Sequence, residues 1–178
     1  MLGSKPLSEI EIKLILAELT SERNKCLFIM GLKTGFRISE LLSLTVRDVT
    51  QYNKIRDSVT VKRAKMKGKN SSRTVVLHDQ VKLALENMGV LLMHPNDRLF
   101  PICRMQASRI IKDAANKAKI EGKVSTHSMR KTLAKNVYYA LGKDLIATQK
   151  ALGHKSMNST VSYLSFDQDA IDNAIRSN

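Results

Sequence analysis

The spacing of apolar residues in this chain is helical almost from end to end, and it switches to period two once, between about residues 58 and 77. That single switch restricts the chain to a mainly α domain with a small antiparallel β-sheet (α+β), the sheet inserted near the first third. Ser8 and Glu11 form a capping box ahead of Ile12, Ile15, Leu16 and Leu19, which predicts a helix over 8–19. A second helix is expected over 21–33, N-capped by Ser21, with Cys26, Leu27 and Met30 inward and Gly35 as its break. A short helix over 39–44 and a turn at Arg47-Asp48 follow, with Tyr52 in a further turn. Residues 58–61 and 73–77 read as strands around a basic turn at Gly68. Helices then resume over 79–88 (N-cap Asp79), 105–118, 125–141, 144–153 (N-cap Asp144, C-terminal Gly153) and 157–164. An amphipathic segment over 167–177, with Asp167, Asp169 and Asp172 at its start, completes the pattern.

At 178 residues the chain is expected to form one domain. Aromatic residues are 4% and Trp is absent, so the core must come from Leu, Ile, Val, Met and Ala. Charge says more about partners than about fold. Lys and Arg total 30 against 16 acids, a net of +14, which suits nucleic acid or another anionic surface. The excess is concentrated: Lys54, Arg56, Lys62, Arg63, Lys65, Lys67, Lys69 and Arg73 face a single acid, Asp57, between residues 54 and 73. A basic hairpin of this density predicts phosphate contacts from Lys62, Arg63, Lys65, Lys69 and Arg73. No apolar run reaches the roughly 18 residues of a membrane span. Nor does the N-terminus carry the apolar stretch of a signal peptide, so a cytoplasmic, nucleoid-associated protein is expected. Cys26 and Cys103, each in an apolar segment, are expected to be reduced, buried thiols. Metal-ligand spacings are missing, and no metal or other cofactor is expected.

An ordered set of polar residues crosses this framework: Arg37, a hairpin lysine (Lys67 or Lys69), His127, Arg130, His154 and Tyr163. Taken singly, each has an ordinary explanation as a surface cation, a cap or a packing residue. As a set they fit cleavage of a phosphodiester by a tyrosine. Negative charge grows on the non-bridging oxygens during such an attack, and two guanidiniums can grip those oxygens bidentately at any working pH. Glu40, three residues beyond Arg37 on the same helical face, is placed to orient that arginine. His127 and Arg130 share a face, and a histidine there can move a proton near neutral pH. Of the four tyrosines, Tyr138 and Tyr139 read as packing residues, whereas Tyr163 follows the Gly153-His154 break. A phosphotyrosyl ester conserves the energy of the broken bond, in keeping with the lack of a Gly-x-x-x-x-Gly-Lys-Ser/Thr loop.

Thr34-Gly35-Phe36-Arg37-Ile38-Ser39-Glu40-Leu41, His127-Ser128-Met129-Arg130, and Leu152-Gly153-His154-Lys155-Ser156 through Tyr163 together resemble the conserved boxes of the tyrosine recombinase (phage integrase) catalytic domain. The resemblance implies a site-specific recombinase or integrase with that catalytic-domain fold. It also implies roles: Arg37 and Arg130 hold the scissile phosphate, His127 acts in acid–base transfer, and His154 hydrogen-bonds a phosphate oxygen. Tyr163 would form a 3′-phosphotyrosyl link, and the hairpin lysine would protonate the leaving 5′-oxygen. The implied partners are double-stranded DNA and other copies of the chain, as a homotetramer on two DNA sites with the C-terminal helix exchanged in trans. The hairpin departs from the family pattern by lacking the usual proline and by an altered spacing. Lys67, which precedes Gly68, is therefore preferred over Lys69 without excluding it. The family's N-terminal core-binding domain is expected to be absent from residues 1–178. Two rivals remain: a type IB topoisomerase-like relaxing enzyme, with a nearly identical active site, and a catalytically silent DNA-binding protein of the same fold.

Overall fold

Ser8 and Glu11 reciprocally cap the first helix, α1 (Glu9–Glu18): the Glu11 amide donates to Ser8 Oγ at 3.2 Å and the Ser8 amide to Glu11 Oε2 at 2.9 Å. The computed structural model describes residues 3–66, 69–153, 157–164 and 176, with the side chains of 62–66, 69–71, 159, 162 and 163 outside the description. Among the described residues the remaining helices are α2 (Glu22–Thr34), α3 (Ile38–Leu41), α4 (Val46–Val49), α5 (Asp79–Asn87), α6 (Arg104–Lys117), α7 (Thr126–Ala140), α8 (Leu145–Leu152) and α9 (Met157–Leu164). The strands form two antiparallel pairs: β1 (Thr50–Gln51) with β2 (Lys54–Ile55), and β3 (Ser58–Met66) with β4 (Lys69–Val76). This is the mainly helical architecture that the periodicity predicts, with the expected antiparallel pair, β3–β4, and a second short pair, β1–β2, that the periodicity does not mark.

α2 is the central helix, because its apolar residues occur on two faces and each face has its own core. Cys26, Leu27 and Met30 pack with Phe36, Leu41, Val59, Val61, Val81 and Leu85 beneath α5 and the β3–β4 pair. Phe28 and Leu32 pack with Ile15, Ile111, Ala115 and Met129 of α1, α6 and α7. Each such fully buried Leu, Ile or Phe contributes about 1.5–3 kcal/mol, and Ile15→Ala at the second core is expected to cost about 2–5 kcal/mol. Close approach of α7 to α2 depends on Gly31. A Cβ there would lie 2.5 Å from the sulfur of Met129. The N-terminal segment then fastens the start of α7, through Ser4 Oγ to Ser125 Oγ at 2.6 Å and the Leu7 amide to Thr132 Oγ1 at 2.8 Å.

Several local expectations differ from the structure. The Arg47-Asp48 segment is a helical turn, α4, because the Asp48 carboxylate accepts from the Thr45 amide at 2.7 Å and nucleates it. Strands β3 and β4 are longer than the period-two apolar signal. Their outer halves are ordered by backbone pairing, with Lys62 opposite Ser72 and Arg63 opposite Ser71, and carry no apolar alternation to read. His78, not Asp79, is the N-cap of α5, its Nδ1 accepting from the Gln80 amide at 3.1 Å. Cys103 is exposed at the N-cap of α6, so the expectation of two buried thiols holds only for Cys26, whose burial pushes its pKa up to about 12. Tyr139 is also more exposed than a packing residue, with the Lys143 ammonium 5.7 Å from its ring centre. The amphipathic segment expected over 167–177 lies outside the described residues, apart from Arg176.

Candidate active site

Three helix ends build the site, and two of them stop at a glycine. α2 ends at Gly35, with φ +60°, and α8 ends at Gly153, with φ +59°. This left-handed conformation carries little penalty only in glycine. It turns the chain out of α2 directly into Phe36-Arg37 and out of α8 directly into His154. The third end is the start of α7, where Ser125 Oγ accepts from the His127 amide at 3.1 Å and fixes the first turn that carries His127 and Arg130.

Arg130 ties these ends together from inside. Its side chain is 2% exposed. Nη1 donates to the Gly35 carbonyl, and Nη2 donates to the Leu152 carbonyl at 3.0 Å. One guanidinium therefore joins positions 95 and 22 residues away along the chain. Two of its five N–H donors go to the polypeptide itself. They satisfy carbonyls that α2 and α8, in ending, leave without helical partners.

Arg37 is held differently. It is the N-cap of α3, its side chain is 47% exposed, and Nη1 donates to Glu40 Oε1 at 3.1 Å. Glu40 is itself buried, at 7% exposure, and its Oε2 also accepts from the Arg37 amide at 2.7 Å. One carboxylate thus anchors both the backbone and the guanidinium of Arg37, which leaves a cation aimed at solvent on a fixed base.

His127 lies at the exposed rim of the same cluster. Its pKa is held below the ordinary imidazole value, first by partial burial of the ring and then by Lys131, Arg130, Arg104 and Arg37, in that order. Burial lowers the Lys131 ammonium as well. The imidazole is thus kept toward its neutral form in a strongly positive field. Sequence reasoning missed Arg104, the first residue of α6, as part of that field. Nothing local marks it, because α6 reaches His127 only through the tertiary fold.

The remaining expectations divide by what is described. Tyr163 is on α9, which packs on α7 and α8, so its helix adjoins the element carrying His127 and Arg130. Lys67 and His154 lie outside the described residues, as does the side chain of Tyr163. Lys62, Arg63 and Lys65 are on β3 and Lys69 is on β4, their side chains undescribed. Arg73, expected among the DNA contacts, turns its guanidinium onto the protein. Its Nη2 donates to the Thr34 carbonyl at 3.1 Å and the Ala151 carbonyl at 2.9 Å, and it lies 5.5 Å from the centre of the Phe36 ring. Among the described residues no three His, Cys, Asp or Glu side chains gather as a metal site, and no helix is long and apolar enough to cross a membrane.

The phage integrase family model matches residues 5–169. A probable integrase/recombinase of Bacillus subtilis, YoeC, is 31% identical over 84% of this chain and 81% of its own length. The crystal structure of XerA recombinase superposes with a TM-score of 0.79 at 26% identity, over 99% of this chain and 66% of that one. A post-cleavage complex of the XerH site-specific recombinase with its palindromic difH substrate superposes with a TM-score of 0.71 at 24% identity, over 96% of this chain and 52% of that one. The chain spans about half the length of the curated Xer relatives: 43% of tyrosine recombinase XerH of Campylobacter jejuni and 55% of XerA of Saccharolobus solfataricus.

Proposed function

The chain belongs to the phage integrase family, and on that premise we propose that it is a site-specific recombinase that cleaves and rejoins double-stranded DNA through Tyr163. The observation that carries this reading is the Arg130 clamp. It gathers the segments leading to Arg37, to His154 and to the α7 first turn around one buried positive charge.

In the proposed mechanism the scissile phosphate docks against Arg37, whose exposed guanidinium is preset by Glu40. Arg130 adds a fixed charge behind it. Together they stabilise the charge that develops on the phosphate oxygens, at little reorganisation cost because both cations are already held. The Tyr163 hydroxyl attacks phosphorus and its proton leaves. Partial burial, and then the surrounding cations, keep His127 neutral, so a ring nitrogen holds a lone pair that can take this proton. The tyrosyl ester forms as the bond to the 5′-oxygen breaks, and a hairpin lysine, Lys67 or Lys69, returns a proton to that oxygen. His154 holds a phosphate oxygen. Rejoining reverses these steps and needs no external energy source.

Residues 1–178 act in this reading as a catalytic domain on the DNA of the cytoplasm. Four copies assemble on two sites, with the C-terminal segment exchanged between neighbours. DNA-bound and recombinase-named relatives favour this reading over a relaxing enzyme or a silent DNA binder. The deciding experiment is covalent capture. Wild-type protein and Tyr163→Phe are incubated with sheared DNA from the source organism, denatured in detergent, and the linked ends sequenced. Adducts from wild type alone, clustered at one sequence, are expected. Adducts from Tyr163→Phe would show that another residue is the nucleophile.

A further inference from the structure

Arg73 and Arg130 make the same pair of connections, offset by one residue. Arg130 joins the carbonyls of Gly35 and Leu152. Arg73 joins those of Thr34 and Ala151, at 3.1 and 2.9 Å. The first comes from α7 and the second from β4. Two guanidiniums from unrelated elements thus staple the last turn of α2 to the last turn of α8. Phe36 lies against the outer one, 5.5 Å from its central carbon.

What leaves each stapled turn is chemistry. Arg37 follows the α2 turn, and His154 follows the α8 turn. β4 brings a third connection, because it pairs with β3, and Lys67 falls between the two strands in sequence. A shift of the hairpin base is therefore transmitted to both helix ends through Arg73. Carbonyl contacts of this kind suit arginine specifically. Both bonds leave one nitrogen, Nη2, whose two N–H donors are fixed in the guanidinium plane, whereas the donors of an ammonium rotate freely.

Resting on the recombinase reading, we propose that Arg73 is a positioning residue that couples the β3–β4 pair to the ends of α2 and α8, which Arg37 and His154 follow in sequence, and not a contact to the DNA backbone. Its effect on cleavage is then indirect, and its effect on binding to phosphate is nil.

The test uses the full chain with Arg73→Lys and Arg73→Gln, read by three measurements. Amide hydrogen exchange is expected to rise about ten-fold, the loss of one hydrogen bond, in two segments remote from the substitution, 35–38 and 151–153. A rise confined to the hairpin would overturn the coupling. Affinity for a 30-base-pair duplex of arbitrary sequence, measured across salt concentrations, is expected to keep its slope. A slope reduced by about one would make Arg73 a phosphate contact and overturn the proposal. Covalent adducts on sheared source DNA are expected to form about ten-fold more slowly in Arg73→Gln, with partial recovery in Arg73→Lys, which keeps the cation; equal rates in all three proteins would overturn the catalytic half. If wild type forms no adduct, the recombinase reading itself fails and the catalytic half falls with it, while hydrogen exchange still decides whether the staple exists.

Discussion

The start of α7 and the turn between α2 and α3 each supply an arginine to one site, yet they use it in opposite ways. Arg130 is almost wholly enclosed, and its donors go to the protein's own carbonyls. Arg37 is half exposed, and it pairs with a carboxylate that also grips its backbone. Burial in the first case converts a cation into architecture. In the second, a buried acid supports a cation that stays outside. A charged cluster can therefore be rigid without every member being desolvated, provided one member carries the structural load.

Substitutions should separate the two arginines. Arg130→Gln leaves the Gly35 and Leu152 carbonyls short of donors, at about 1–3 kcal/mol each, so urea unfolding should show a loss of about 2–6 kcal/mol. Arg37→Gln should cost under about 1 kcal/mol in the same assay, as expected of a partly exposed ion pair, while adduct formation falls by about 10²–10³. Equal stability losses would erase the distinction between the two environments.

A smaller effect is expected at the turn that leads into Arg37. Gly35→Ala places a Cβ at φ +60°, 2.6 Å from Leu133 Cδ2. The left-handed conformation alone costs about 1–2 kcal/mol, and the unfolding midpoint should fall accordingly. An unchanged midpoint would mean that the α2 end tolerates a different exit path.

The smallest effect is electrostatic. Folding lowers the pKa of His127, so in the window between its folded and its ordinary value the unfolded chain binds the proton and the folded protein does not. Stability is complete above the ordinary value and declines as pH falls through that window. Lys131→Gln removes the cation that acts most strongly on the ring. The His127 midpoint, followed by NMR, should then rise and the acid-side loss should lessen; a midpoint that stays put or falls would exclude Lys131 as a cause and leave burial and the three arginines.

Much of this arrangement is legible in the sequence where the signal is local. The Ser8–Glu11 box, the stops at Gly35 and Gly153, and the Asp144 cap, whose Oδ1 accepts from Ile146 and Ala147, all depend on residues within four positions of one another. Arg37, His127 and Arg130, singled out in the sequence, are brought by the fold into one cationic cluster. What their side chains bond to is not legible there. Arg73 and Arg130 are indistinguishable from surface cations until the fold brings carbonyls from 22 to 95 residues away. Local context also misleads at Cys103, which sits among apolar neighbours yet falls at a helix start on the surface.

The Arg130 clamp has a consequence in time. It needs residues 35, 130 and 152 together, and contacts this distant in sequence form late, after loop closure has been paid for. On the ribosome, Arg37 and Arg130 are both present well before the second carbonyl emerges. The emerging chain therefore holds both guanidiniums without their final geometry until Leu152 is available. Assembly order thus makes the cluster a property of the chain synthesised past α8, and of no shorter one.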